Sequence, residues 1–321
     1  MLIAGAVCPH PPLLIPAALG SAASDPPAEL RKVADAAALA VSGLAGARPD
    51  LIVVVGGGAA EREYAADASG GLHAFGVGVT VGPGEPVLPL SLTVGRWLLE
   101  RAGILKHGEV PEPAAGLVGA GAELVGAGAG LPGEAGTGVP GETGAGPPAE
   151  EADPSGEAAD LAAEAADLPV EAVDLPGEAV GVPGAGAGGG IPVVFQEVAR
   201  HAAAGDCLKL GRILADRAPC VALLAMGDSC ARPAREDPDV PDPAAQDYDE
   251  EVAEALAAAD ARWLARLDPA LDDELVVAGR AAWQVLAGAA RGTRMQGRLL
   301  GMWAPYGVTY LVASWEPCRT D

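Results

Sequence analysis

Apolar positions occur in two periods along this chain, and the alternation between them predicts its elements. Residues 2–7 (LIAGAV) form an unbroken apolar run that stops at Cys8-Pro9-His10-Pro11-Pro12, where prolines fix φ and remove backbone donors. Leu30, Val33, Ala37, Val41 and Leu44 then recur at helical spacing, with Arg31, Lys32 and Asp35 on the opposite face. Residues 51–55 (LIVVV) read as a central parallel strand ending at Gly56-Gly57-Gly58. Strand, helix, strand in this order is a right-handed βαβ unit.

Further along, residues 77–81 suggest a short strand, and Ser91 or Thr93 is placed to cap a helix bearing Val94, Trp97 and Leu98 that ends near Gly103. Residues 191–195 and 220–226 read as buried strands, with a helix starting at Asp206 between them. A long helix is predicted over 247–267, with Val252, Leu256, Ala259, Trp263 and Leu267 inward. Asp268-Pro269 opens another helix, Ala278-Gly279-Arg280 breaks it, 283–290 is a further helical piece, and 305–315 closes the chain as a strand.

This order predicts an α/β protein with a central, mostly parallel sheet flanked by helices. One segment departs from it. Residues 107–190 carry fifteen acidic side chains and no Lys or Arg, with Ala, Gly and Pro filling most of the rest. Too few large side chains are present to offset ordering entropy, so the composition predicts a disordered or loosely helical insert. The organisation is therefore one domain in two parts, 1–106 and 191–321, around that insert.

The insert also explains the charge. The net charge is −24, and without the fifteen insert charges it is −9. This balance argues against nucleic acid and against an anionic membrane surface. No apolar run reaches the roughly 18 residues of a membrane span. Residues 2–7 do not read as an export signal, having no basic flank, too short a run and Val7 at the cleavage position. The five cysteines form no CxxC pair and read as reduced thiols in a cytoplasmic protein.

Candidate chemistry sits at the predicted strand ends, where α/β folds place their sites. His10 is either a metal ligand or an imidazole that stabilises its turn. Gly56-Gly57-Gly58 is either a phosphate-cradling turn or a place of close backbone packing; Glu61 stands where a dinucleotide fingerprint has its third glycine. Gly227-Asp228-Ser229-Cys230 offers a carboxylate, a hydroxyl and a thiol, with Cys230 as a nucleophile or Asp228 as a cap for its own loop.

Together CPHPP, VVVGGG, LPLSLTVGRWLL, CLKLGRIL, VALLAMGDS, ELVVAGRAAWQVLAGAA and APYGVTYLVASW resemble the LigB-like superfamily of class III extradiol ring-cleavage dioxygenases. The likeness is greatest to its actinobacterial branch and more distant to MEMO-type proteins. It covers residues 1–103 and 191–315. The resemblance implies Fe(II) and aromatic ring cleavage, with iron held by a His at the first strand end, a His at the second and a downstream Glu, and a further His for acid–base work.

His10 matches the first position. Gly58 stands at the second, Ala231 at the acid–base position, and Ala278, before Gly279-Arg280, near the carboxylate position. Replacement ligands would come from His73, Asp228 or Glu274. The implied cleft is lined by Cys8, Gly57, Gly58, Ser229, Cys230 and Ala278. The expected function is a divergent LigB-like dioxygenase with an incomplete iron site, and the alternative is a non-catalytic scaffold, without iron, that binds a small molecule or a protein. The sequence leaves the oligomeric state open.

Overall fold

The strand and helix runs just described rest on apolar side chains that need two faces to bury against, and the sheet supplies both. A computed structural model describes residues 1–106, 190–231 and 243–318, all within one unit. The insert expected at 107–190 otherwise lies outside the described residues. Seven strands form the main sheet: β1 (Leu2–Cys8), β2 (Leu51–Gly58), β3 (Arg62–Tyr64), β7 (Val193–Ala199), β8 (Val221–Met226), β9 (Met295–Trp303) and β10 (Tyr310–Pro317). Their order is β3-β7-β2-β8-β1-β10-β9. A small three-stranded sheet is made by β4 (Ser69–Gly71), β5 (Thr80–Val81) and β6 (Pro86–Leu88).

The protein is α/β, as expected, and the parallel character belongs to the centre of the sheet. β7, β2, β8 and β1 run parallel to one another, whereas β3, β10 and β9 join antiparallel at the two edges. Continuous apolar runs suit the central strands because both of their faces are covered. Alternation divides β2 between two cores, Leu51, Val53 and Val55 facing one and Ile52 and Val54 the other. Burying each such side chain contributes roughly 1.5–3 kcal/mol.

Helices α1 (Ala28–Gly46) and α2 (Leu90–Arg101) cover one face. The other face carries α3 (Ala204–Ala215), α4 (Pro243–Ala258), α5 (Ala261–Leu264), α6 (Leu271–Glu274) and α7 (Arg280–Ala289). α3 and α7 approach closely because glycines meet backbone there: a Cβ on Gly211 would fall 2.0 Å from the Val285 carbonyl oxygen, and one on Gly288 2.3 Å from that of Leu208. A buried ion pair ties the same layer, with Arg280 Nε 2.8 Å from Asp272 Oδ2. The remaining guanidinium nitrogens donate to the carbonyls of Ala202 and Arg200 and to Gln284.

Several expected elements differ. The strand suggested over 77–81 is confined to Thr80–Val81, and α2 starts at Leu90 after Pro89, with Ser91 and Thr93 inside the helix and no side-chain cap. The helix predicted over 247–267 ends at Ala258, since Ala259 adopts φ +50° and Asp260 then caps α5 by accepting from the amides of Arg262 and Trp263. Asp268 does not start a helix directly. Its carboxylate accepts from the Ala270 amide, and α6 begins at Leu271. Among the described residues, no helix is long and apolar enough to cross a membrane.

Candidate functional site

Strand register alone brings the strand ends together. Cys8 pairs with Met226, so two residues on His10 lies level with Asp228. Gly56 also pairs with Met226, which puts Gly58 on the other side of Asp228. Val7 pairs with Ala313 in the antiparallel sense, and continuing that register sets Tyr310 beside His10. The strand residues nearest this point, Cys8, Met226 and Tyr310, are buried on the face covered by α1 and α2.

The proline-rich turn after β1 has a single amide hydrogen between residues 9 and 12, that of His10, because the other three are prolines. It donates to Asp228 Oδ1 at 2.7 Å. The His10 ring stands over the same oxygen, Nδ1 to Oδ1 3.5 Å, with side chains 13% and 15% exposed. Nδ1 itself is buried and has no hydrogen-bond partner among the described residues. Among the described residues, Asp228 has no Lys or Arg partner. Burial raises its carboxyl above the ordinary carboxylate range, and the His10 ring and amide only partly oppose this. Burial, then the nearby Asp228 charge, likewise push the Tyr310 phenol up.

The glycine run is closed by a residue that the sequence did not single out. Glu197, on β7 and 6% exposed, accepts from the amides of Ala59 at 2.7 Å and Ala60 at 3.1 Å through Oε1, and from the Tyr64 hydroxyl at 2.6 Å through Oε2. These are the amides a phosphate-cradling turn would offer to its anion, and an internal carboxylate already occupies them. Tyr64 is pushed up to about 12, by burial first and then by its bond to Glu197. A Cβ on Gly58 would lie 2.1 Å from Glu197 Oε1, so Glu197 fills the space that a side chain at that position needs. Ser91 Oγ donates to the Gly57 carbonyl and fixes the run from the α2 side.

The third strand end is held from the far layer. Asp249 of α4, 2% exposed, accepts from Ser229 Oγ and Thr309 Oγ1, both at 2.5 Å, and from the Cys230 amide at 3.2 Å. The amide of Ser229 donates to the Thr309 carbonyl and that of Thr309 to the Cys230 carbonyl, and Ala231 bridges to Val308, so residues 229–231 run as a ladder beside the approach to β10. A concavity of about 270 Å³ opens next to Asp249, walled by Trp303, Glu250 and Thr309.

No protein-family model matches this chain, and no curated protein matches it.

Of the residues singled out earlier, the structure brings together His10, Asp228 and the Gly57–Gly58 backbone. Ala278 joins them, its amide donating to the Asp228 carbonyl oxygen. Cys8 and Cys230, expected at the cleft wall, are instead fully buried in the two separate cores, and desolvation raises the Cys8 thiol. Ser229 is buried too, bound to Asp249. His73 lies exposed in a short 3-10 turn, and Glu274 is exposed at the end of α6.

Among the described residues, no three His, Cys, Asp or Glu converge to hold a metal ion. An iron site needs several convergent, deprotonated ligands. His10 and Asp228 make two, and the described residues do not fit the Fe(II) set that the LigB-like resemblance implies. What the site does offer is an imidazole–carboxylate pair with a phenol alongside, a constellation suited to hydrogen bonding and proton sharing.

Proposed function

We propose that this chain is a divergent LigB-like protein whose strand-end cleft binds a small molecule without a resident iron. The order of strand-end pieces supports the LigB-like part: His10 after the first strand, the glycine run after the second, and the Gly-Asp-Ser loop after a later one. The observation that carries the rest is Glu197. It occupies the space a second imidazole would need at Gly58, 2.1 Å from a Cβ there, and its own oxygens are engaged by three donors. His10 and Asp228 are left as a pair that can hold a ligand through hydrogen bonds.

The test is metal content. The full chain is purified anaerobically beside His10→Ala, and both are assayed for iron, zinc and manganese. Substoichiometric metal in both, with equal folding by circular dichroism, is the expected result. A stoichiometric metal that disappears in His10→Ala would overturn the reading and restore an oxygenase with ligands from elsewhere in the chain.

A further inference from the structure

The charges and hydrogen-bonding groups around His10 and Asp228 select one chemical class of ligand. Resting on the metal-free reading above, we propose that the site binds a small organic ammonium ion, R–NH3⁺, with three acceptors meeting its three N–H groups. The acceptors are Asp228 Oδ2, the Tyr310 hydroxyl oxygen and His10 Nε2.

Asp228 uses Oδ1 for the His10 amide, whereas Oδ2 receives no hydrogen bond from a described residue. No guanidinium or ammonium group of the described residues pairs with this carboxylate, although its side chain is only 15% exposed. A desolvated carboxylate in that state favours a proton or a cationic partner. Tyr310 is 4% exposed, yet its hydroxyl has no hydrogen-bond partner among the described residues. It sits at the level of His10 and Asp228 by register. His10 Nε2 makes no hydrogen bond to a described residue, and in the neutral tautomer that carries its proton on Nδ1 it is an acceptor.

An anion finds no equivalent welcome. The turn amides of Ala59 and Ala60 are consumed by Glu197, itself a carboxylate. Arg200, just beyond β7, donates instead to the Asp272 carbonyl in the opposite layer. The chain as a whole carries −24. That overall field draws cations toward the protein but does not choose among them. The choice lies with Asp228 and Tyr310.

The probes are n-butylammonium, and butyrate and 1-butanol as isosteres of opposite and no charge. Each is titrated into the full chain by calorimetry and saturation-transfer NMR, at high salt so that the diffuse negative field is screened. Butylammonium is expected to bind, with butyrate silent and butanol weaker. Asp228→Asn keeps the oxygen that takes the His10 amide and removes the charge, so it should weaken butylammonium by about tenfold or more. Tyr310→Phe should weaken it by about threefold.

Butyrate binding as tightly as butylammonium would overturn the proposal. So would an affinity unchanged in Asp228→Asn, or no binding of any probe. Metal is measured on the same sample, which separates the two readings. A stoichiometric metal refutes the iron-free cleft, whereas a metal-free protein that prefers butyrate refutes the ammonium ligand alone.

Discussion

Gly58→Ala tests whether Glu197 is the side chain that fills the space beside the glycine run. Gly58 does not have a positive φ, so alanine meets no backbone penalty there, and its effect is steric. The new Cβ would lie 2.1 Å from Glu197 Oε1 and 2.6 Å from both Cγ and Cδ. Rotating the carboxylate tip alone leaves the Cγ conflict, so the whole side chain must swing. It then loses the amides of Ala59 and Ala60 and the Tyr64 hydroxyl. Hydrogen bonds to a charged group contribute roughly 1.5–3 kcal/mol each, but Ala59 and Ala60 are exposed and regain water, so about 1 kcal/mol per bond is the better figure.

The expected cost of Gly58→Ala is then about 3 kcal/mol, or roughly 6–12 °C in melting temperature for a unit of this size. Glu197→Ala removes the same three bonds and should cost a similar amount. It also vacates the space, so Gly58→Ala added to it should be close to neutral. A double-mutant cycle read by denaturant unfolding with tryptophan fluorescence should give a coupling energy of about 3 kcal/mol. Additive costs, with the double variant near 6 kcal/mol, would show that the two positions do not compete for one space and would remove the physical basis of the iron-free reading.

Three further outcomes follow from the same geometry. Gly227→Ala would place its Cβ 2.2 Å from the Gly279 Cα, a backbone atom that cannot rotate away, and should cost about 3 kcal/mol in unfolding experiments; wild-type stability would contradict that contact. Arg280→Ala should cost about 3–5 kcal/mol by leaving Asp272, 1% exposed, without its ion partner, and Asp272→Asn in that background should recover part of the loss. Asp228→Asn should make the protein more stable than wild type at neutral pH. The Asp228 carboxyl is raised in the folded state by burial, so its contribution is full below the ordinary value of 3.8 and is lost as pH rises through the folded value. The gap between the two melting curves should therefore close on acidification, and a gap that widens instead would reverse the assigned sign.

The fold was legible where burial on both faces left a continuous signature. Residues 51–55 and 220–226 read as central strands, and they lie side by side in the middle of the sheet as β2 and β8. β3 is three residues long, too short to carry a period, and β9 (MQGRLLGMW) mixes charged and apolar positions because it is an edge with one exposed face. The break after Ala258 was hidden because alanines continue the helical pattern through it. Asp260, which caps the next helix, was the one available signal.

The site was half legible. Proline placement marked His10 and the loop residues marked Asp228, but their pairing comes from a register that connects residues 218 positions apart. Glu197 carried a faint sign, a carboxylate inside the apolar run VVFQEVA, whose meaning depended on the glycines of a strand far away in sequence. Tyr310 looked like an ordinary strand aromatic until β10 was seen to run antiparallel to β1.

That pairing of β1 also governs how the chain can assemble. Gly5 sits between Leu223 on one side and Trp315 on the other, so both hydrogen-bonding edges of this strand belong to segments made much later during synthesis. Until then an apolar strand waits with both edges unpaired, the condition that invites chain-to-chain association. Contacts of such long sequence separation make folding slow, because loop-closure entropy must be spent before the pairing stabilises anything. The His10–Asp228 pair inherits this timing. His10 meets Asp228 and Tyr310 only when the first strand is enclosed, so a ligand that bridges them would act as a late clasp on the whole sheet, and refolding yield should rise in its presence.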